Sequence, residues 1–228
     1  MARAAFDEKL QKYYQDTMYM GTMTEEYLVA CIDAFSKNDV ERAKELIAQD
    51  KKIDTMQLDM EQESISLLLL QSPVAGDLRK IITSIKIFAN LERIGDYACH
   101  LAKLTAKADP FLFPEFRAPI AEMALAASHM IRDSLTAYIN DDEALAKGTA
   151  AKDAEIDAAK KKLISNLIML SPANELEMKQ VYRYISICKD LERLGDHITT
   201  ICEWVVFTVS GKIVDLGKMS RAESVLYI

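Results

Sequence analysis

Pairs of acidic residues four positions apart are the feature of this sequence with the clearest capacity for chemistry. In a helix this spacing places both carboxylates on one face, about 5–6 Å apart, where they can share a cation. Chance alone would supply about five such pairs among 35 acidic residues in 228, so the six present prove little by number. They are Glu41/Glu45, Asp50/Asp54, Asp59/Glu63, Glu92/Asp96, Asp153/Asp157 and Glu192/Asp196.

The placement of these pairs follows an internal repeat. Many residues of 34–54 return 103 positions later, and Leu-Glu-Arg-Ile-Gly-Asp at 91–96 returns as Leu-Glu-Arg-Leu-Gly-Asp at 191–196. Four of the six pairs occupy equivalent places in the two copies, which indicates an internal duplication. The sequence therefore predicts two equivalent carboxylate sets, one in each half of the chain. These sets are Asp50, Asp54, Glu92 and Asp96, and Asp153, Asp157, Glu192 and Asp196.

Long helices are the elements that would hold these residues. Half of the chain is hydrophobic, but seven Gly and five Pro supply too little turn chemistry for many short strands. Proline and capping signals delimit six helical blocks at 4–37, 40–71, 75–107, 119–140, 143–170 and 174–210. The sequence predicts an all-α fold of two tandem, similar three-helix bundles, with domains at 1–110 and 111–228.

An antiparallel arrangement of the second and third blocks would bring the acidic pairs of each half together. Asp54 precedes a turn near residue 74 by 20 residues and Glu92 follows it by 18, so both lie at similar height. In the second half, Asp157 and Glu192 lie 17 and 18 residues from a turn near residue 174. Each half could then face four carboxylates toward one another.

Four clustered carboxylates repel each other unless positive charge is supplied. Two interpretations stay open: a bound multivalent cation, or a solvated acidic face neutralised by Arg93, Arg193 and nearby lysines. Oxygen ligands suit Mg, Ca, Mn and Fe, and Zn or Ni can also occupy such a site. Glu-x-x-His, the motif of helical di-iron enzymes, does not occur.

Other residues have both a functional and a plainer interpretation. Gly95 and Gly195 stand between the paired acids, where they could admit an ion cluster, a partner backbone or a tightly packed helix. A satisfied or solvent-facing His197 is favoured over a ligand, because the first copy has Tyr97 there. The four scattered cysteines are expected to be buried, reduced thiols. The Met and Tyr residues of the first block are expected to lie mainly in the core, with a partner-facing surface as the alternative.

Composition excludes several classes of function. A formal net charge of -7 argues against a nucleic-acid partner, which would require clustered Lys and Arg. No long apolar run suggests a membrane span, and the N-terminus shows no apolar signal core. We therefore expect a soluble, cytoplasmic protein. No nucleophile motif or phosphate-binding glycine loop is present, so no catalytic residue is assigned.

The residues assembled above resemble those of the PhoU family of phosphate-transport regulators. The resemblance rests on the motifs at 91–96 and 191–196, the Asp-x-x-x-Asp pairs at 50–54 and 153–157, and Ile-Cys-Glu-Trp at 201–204. It covers nearly the whole chain, as two repeats in the family order. It implies two similar three-helix bundles side by side, with the family's acidic metal motifs on the eight carboxylates named above.

The resemblance also implies a cofactor and partners. The cofactor would be a multinuclear metal cluster, with iron favoured and zinc or nickel as alternatives. The protein would be a cytoplasmic adaptor between the ATPase subunit of a phosphate ABC transporter and a phosphate-sensing histidine kinase, and would form a homodimer. It would repress the phosphate-starvation response when phosphate is plentiful. One departure from exact repetition is Asn90, which corresponds to Asp190, so this position is not expected to bind metal in both copies.

A second class of function remains open from the residues alone. The carboxylate clusters could form the centre of a metal-dependent hydrolase or oxidase. Such turnover would require an open metal position and a general base nearby. No second titratable group is repeated beside the motifs, so the regulator is the preferred interpretation.

Overall fold

The computed structural model describes residues 2–71, 73, 75–107 and 112–219. These residues form nine α-helices, one 3-10 turn and no β-strand, which confirms the predicted all-α class. The helices are α1 (Ala2–Lys37), α2 (Val40–Gln49), α3 (Lys51–Gln71), α4 (Ala75–Ala106), α5 (Arg117–Asn140), α6 (Glu143–Ala151), α7 (Asp153–Ile168), α8 (Glu175–Ser210) and α9 (Leu216–Met219); the 3-10 turn is Pro114–Phe116. Within these ranges, none of the helices has the length and apolarity that a membrane span requires.

Each half of the chain forms a three-helix unit whose middle helix is interrupted. The first unit contains α1, the α2–α3 pair and α4, and the second contains α5, the α6–α7 pair and α8. The prediction of two similar helical bundles is confirmed. The structure adds that α1, α4, α8 and α5 contact one another in a closed ring, as in a four-helix bundle. The interrupted helices pack on the outside of this ring.

The predicted boundary between the domains 1–110 and 111–228 stays a prediction. It coincides with residues 108–111, which lie outside the described residues. The contacts between α1 and α5 and between α4 and α8 join the two units along their lengths. Much of the core therefore lies between the units as well as within them.

The apolar stripe predicted on the third block forms part of the core of α4. Ile87, Leu91, Ile94, Ala98 and Leu101 are all buried. Their spacing of three and four residues keeps them on one helical face, which is covered by neighbouring helices. The exposed face of the same helix carries the acidic residues.

The helix starts predicted at residues 40 and 143 are confirmed, with Asp39 and Asp142 as the capping residues. The Asp39 carboxylate accepts a hydrogen bond from the backbone N–H of Arg42 at 2.9 Å, and that of Asp142 accepts one from Leu145 at 2.9 Å. These bonds satisfy backbone donors that have no partner within the helix. The caps occupy equivalent positions, so the repeat extends to the local signals that begin α2 and α6.

The blocks 40–71 and 143–170 were predicted as continuous helices, and the structure corrects this. The first is interrupted at Asp50 and the second at Lys152. Asp50 keeps right-handed helical angles, and its carbonyl accepts from Ile53 N at 2.9 Å, so the interruption is one tightened turn. It places Asp50 and Asp153 at the starts of α3 and α7, the segments that lie beside the acidic motifs of α4 and α8.

Candidate metal centre

The first carboxylate set converges where α3 begins beside α4. Burial raises the pKa of Asp50, and the negative charges of Asp54 and Asp96 raise it further. Burial also raises the pKa of Glu92, with added contributions from Asp96, Asp54 and Asp50. Asp50 and Glu92 each thus lie within the electrostatic influence of Asp54 and Asp96. Their joint role as metal ligands stays a prediction.

Asp50 carries a polar atom that is suited to bind a cation. Its Oδ1 atom is buried and has no hydrogen-bond partner. The same side chain lies within hydrogen-bonding reach of the Cys99 thiol. A buried carboxylate oxygen without a partner is unfavourable, because its hydration is lost and nothing replaces it. A cation bound to this oxygen would remove that cost.

The positively charged side chains near the first set form only long or exposed contacts with its carboxylates. Arg93 Nε lies 3.5 Å from Glu92 Oε2, and Arg93 Nη1 lies 3.4 Å from Asp96 Oδ2, with 59% of the Arg93 side chain exposed. Lys103 interacts chiefly with the Cys99 thiol, and its charge lowers the pKa of Asp50. The interpretation of an acidic face partly neutralised by its own cations therefore also has structural support.

The second set lies at the equivalent place between α7 and α8. Asp153 Oδ1 lies against Gly195, and Glu192 Oε1 is 2.6 Å from Lys160 Nζ. The pattern of buried, half-buried and exposed positions along 191–200 is identical to that along 91–100. The structure thus repeats the location of the set but adds an ion pair that the first half lacks.

The carboxylates of the two sets do not form a finished ligand cage in the part of the chain that the structure describes. Among the residues described, no group of three His, Cys, Asp or Glu side chains is arranged to hold a metal ion. An all-oxygen set of carboxylates nevertheless suits hard and borderline cations, and the buried Oδ1 atom of Asp50 accepts no hydrogen bond. The residues therefore fit a cation that draws the side chains together.

The two motif glycines serve close packing between helices. A Cβ atom at Gly95 would lie 3.1 Å from Ile53 Cδ1, and one at Gly195 would collide with the Asp153 carboxylate. Both glycines are buried. Of the three roles considered from sequence, close helix packing explains Gly95. Gly195 leaves room for a carboxylate of the second set, so neither glycine offers an exposed docking surface.

Two polar pairs cross the interface between α4 and α8 beside the motifs. His100 Nδ1 is 2.6 Å from Asp190 Oδ2, and His197 Nδ1 is 2.8 Å from Asn90 Oδ1. His197 also lies beside the Tyr97 ring, with 5.8 Å between ring centroids. The expectation of a satisfied His197 is confirmed. The departure at position 90 has a structural role, because both Asn90 and Asp190 join the two units.

Sequence reasoning missed three residues near the clusters: His100, Lys103 and Lys160. A signal for Lys160 was present, because its counterpart in the first copy is the uncharged Gln57. Lys103 likewise corresponds to Glu203. A comparison of charge between equivalent positions would have identified both. The pairing of His100 could not be found in this way, since it depends on which helices of the two units pack together.

The four cysteines are buried free thiols, as predicted. Burial raises the pKa of Cys31, Cys188 and Cys202 to about 12 in each case. Such thiols stay protonated at neutral pH and are poor nucleophiles and poor ligands. They act as small apolar core residues.

A groove between the first and middle helices is the second feature repeated in the two units. It has a volume of about 530 Å³ between α5 and α7 and about 720 Å³ between α1 and α3. Tyr13 and Met20 of the first block lie in the core, as expected, whereas Tyr19 is 64% exposed and lines the groove beside Met23. A limited Met and Tyr surface therefore remains accessible.

The fold and site together define the class of protein, a duplicated helical domain that carries one acidic cluster in each copy. A profile of the PhoU domain matches residues 17–105 and 120–205, one match in each unit. The chain belongs to the PhoU family. This membership confirms a regulatory accessory protein and not an enzyme, and it disfavours the metal-dependent hydrolase or oxidase.

Individual relatives agree over almost the entire length. The chain is 33% identical over 218 residues to a phosphate-specific transport system accessory protein PhoU homolog of Clostridium acetobutylicum, covering 95% of this chain and 100% of the relative. A homolog of the same description from Synechocystis is 32% identical over 214 residues, covering 92% of this chain and 93% of the relative.

Solved structures show the same architecture. The phosphate transport system regulatory protein PhoU of Streptococcus pneumoniae has a TM-score of 0.85 and 28% identity, covering 92% of this chain and 99% of its own. PhoU of Pseudomonas aeruginosa has a TM-score of 0.83 and 26% identity, covering 90% of this chain and 99% of its own. The two-unit fold is thus common to this chain and both proteins.

Proposed function

We propose that this protein is a cytoplasmic, metal-binding adaptor that regulates phosphate uptake and phosphate-responsive signalling. It acts between the ATPase subunit of a phosphate ABC transporter and a phosphate-sensing histidine kinase, and it represses the starvation response when phosphate is plentiful. Membership of a family whose named relatives are accessory proteins of phosphate-specific transport supports this role. The observation that supports the metal-binding part is the buried Oδ1 atom of Asp50, which accepts no hydrogen bond, in a carboxylate whose pKa is raised by burial and by the charges of Asp54 and Asp96.

The metal would be held by each unit's own carboxylates. Asp50, Asp54, Glu92 and Asp96 would hold the first cluster, and Asp153, Asp157, Glu192 and Asp196 the second. Iron is the proposed metal, with zinc or nickel as alternatives, in a multinuclear cluster that offsets the repulsion of four acids. The protein's own contribution is to fix the starts of α3 and α7 against α4 and α8, so that the carboxylates stay together.

A matched pair of double variants tests the site. Glu92→Ala/Asp96→Ala should remove the first cluster's metal, whereas Glu41→Ala/Glu45→Ala, an acidic pair on α2 that the second copy lacks, should remove none. Metal per chain would be measured by mass spectrometry after saturating loading, in protein purified without chelator or nickel affinity. Folding should survive in both, since like charges four residues apart repel by only tenths of a kcal/mol. Wild-type stoichiometry in the first variant would refute the assignment.

The adaptor role requires action by binding and without turnover. Deletion of the gene in its host should misregulate phosphate uptake or phosphate-responsive transcription, and the wild-type gene should restore both. The purified, metal-loaded protein should show no phosphatase activity and no oxygen consumption. Unchanged phosphate responses in the deletion strain would refute the regulatory role.

The groove between α1 and α3 is one proposed contact for partners, and the acidic clusters are the other. Tyr19→Ala alters an exposed ring inside the groove, and Tyr182→Ala, a ring that is 72% exposed on α8 outside it, serves as the control. Co-purification with the ATPase subunit should fall for Tyr19→Ala only if the groove is the contact. Equal binding by both variants would favour the acidic clusters. Homodimer formation would be measured by light scattering on the same samples.

A further inference from the structure

The two carboxylate clusters differ in the residue that faces the glutamate of each motif. Lys160 of α7 occupies this place in the second unit, with its Nζ atom 2.6 Å from Glu192 Oε1. The equivalent residue of α3 is Gln57, whose amide donates at 2.5 Å to Glu61 on its own helix. Lys160 therefore places a positive charge in the second cluster, and the first cluster has no charge at the equivalent position.

The ion pair between Lys160 and Glu192 is partly buried. Lys160 and Glu192 have side chains that are only 22% and 21% exposed. Partial burial weakens solvent screening, so this pair is stronger than an ordinary surface ion pair. In the first unit the cation nearest to Glu92 is its neighbour Arg93, at 3.5 Å and 59% exposed. Glu92 is thus more available to a metal ion than Glu192.

A second charge difference between the clusters lies near Asp50 and not at the motif glutamate. Lys103 in the first unit is exposed and interacts chiefly with the Cys99 thiol, and its charge lowers the pKa of Asp50. Its counterpart in the second unit is Glu203, which accepts a hydrogen bond from Leu216 N at 2.8 Å. This difference is opposite in sign to that between Gln57 and Lys160, but Lys160 differs from Lys103 in its direct contact with a motif glutamate.

We propose that Lys160 is a built-in counter-ion that makes the second cluster the weaker site for a divalent cation. A metal ion that binds Glu192 must first displace the lysine ammonium, whereas a metal ion at Glu92 displaces only an exposed arginine. The first cluster therefore fills at low metal concentration and the second fills only when metal is abundant. This inference rests on the proposed metal-binding function and specifies how its two sites differ.

Titration of metal-free protein with Mn²⁺ tests the inference, with bound and free ion distinguished by electron paramagnetic resonance. The wild type should show two classes of site whose dissociation constants differ by about ten-fold, because a cation at Glu192 must compete with the ammonium group of Lys160. Glu92→Ala/Asp96→Ala should remove the tight class. Lys160→Gln, which copies the residue of the first unit, should tighten the weak class by about ten-fold.

The reciprocal substitution is the matched control. Gln57→Lys should weaken the tight class, because it gives the first cluster the charge arrangement of the second. In the absence of metal, Lys160→Gln should also lower the melting temperature, and Mn²⁺ should restore it. Circular dichroism would confirm that each variant retains its helices.

The outcomes separate the two proposals. Two equal sites in the wild type, or a weak class that Lys160→Gln leaves unchanged, would overturn the inference while leaving metal binding intact. A tight class removed by Lys160→Gln would also overturn it. No Mn²⁺ binding by any of the proteins would refute the metal-binding function and this inference with it.

Discussion

His100 and Asp190 join the two units of the protein across the interface between α4 and α8. His100 Nδ1 lies 2.6 Å from Asp190 Oδ2, and the carboxylate is only 13% exposed. The bond lies beside the acidic motifs, as does the bond between His197 and Asn90. The two units are therefore held in register by polar bonds at the place where their motifs pass each other, in addition to apolar packing.

Asp190→Ala should lower the free energy of unfolding by about 1–2 kcal/mol, because it leaves a partly buried imidazole donor without its acceptor. Asp190→Asn should lose less, since its amide oxygen can still accept as Asn90 does. Asp33→Ala, which removes an exposed ion pair with Lys37, should change stability by only about 0.5 kcal/mol or less. Urea unfolding monitored by circular dichroism measures all three. Equal losses of unfolding free energy for Asp190→Ala and Asp33→Ala would show that the bond between the units stabilises the protein no more than a surface ion pair does.

Replacement of Gly95 and of Gly148 by larger residues should change the stability of the protein in opposite directions. A Cβ atom at Gly148 of α6 would meet no atom within 4 Å, so Gly148→Ala should stabilise the protein by about 0.5–1 kcal/mol through helix propensity. Gly95→Leu should destabilise it by about 1–3 kcal/mol, because Ile53 already lies 3.1 Å from the Cβ position. Melting temperatures would rise for the first variant and fall for the second. A stable Gly95→Leu protein would contradict the packing role of this glycine.

Much of the fold could be predicted because its signals are local and repeated. The caps at Asp39 and Asp142 and the buried stripe on α4 depend on residues close together in the chain. The interruption at Asp50 was missed because no Pro or Gly marks it and its backbone angles remain helical. The closed ring of α1, α4, α8 and α5 was missed as well, since periodicity shows which face is buried but not which helix covers it.

Repetition in the sequence selected the eight carboxylates of the candidate site, and their role as ligands stays a prediction. The charges that surround them could not be predicted from spacing. The contact between Lys160 and Glu192 depends on the orientation of a long side chain across two helices, which spacing does not determine. The buried Oδ1 of Asp50 is also a property of the folded chain alone.

Because three thiols are buried, we expect the free energy of unfolding to fall at alkaline pH. The pKa of Cys31, Cys188 and Cys202 is about 12 in the folded protein, against about 8.5 in the unfolded chain. Because the folded pKa is raised, the stabilisation is complete below the unfolded pKa and is lost as pH rises above it. Between about pH 9.5 and 11 each thiol should remove about 1.4 kcal/mol per pH unit.

Unfolding free energies at several pH values measure this slope. A variant with all three cysteines changed to Ala should have a smaller slope, whatever its absolute stability. The native protein should also resist alkylation at pH 8, and the same thiols should react readily in guanidinium. Rapid alkylation of native Cys31, Cys188 or Cys202 would contradict their burial.

Arg117, at the start of α5, stabilises the junction between this helix and the end of α1. Its buried guanidinium donates to the Phe35 carbonyl at 2.5 Å and to Asn38 Oδ1 at 2.7 Å, and it lies 5.3 Å from the centre of the Phe35 ring. Arg117→Ala should lower the free energy of unfolding by about 3 kcal/mol, because two charge-assisted bonds are lost and the Phe35 carbonyl keeps only the bond from Asn38 N at 3.2 Å. Arg117→Lys should recover only part of this loss, since one ammonium group cannot donate to both oxygen atoms as the planar guanidinium does.

Arg42→Ala, which removes an exposed ion pair with Glu45, should change the free energy of unfolding by less than about 0.5 kcal/mol and serves as the control in the same urea titrations. Wild-type stability in Arg117→Lys would show that charge alone, without the planar donor geometry, holds this junction.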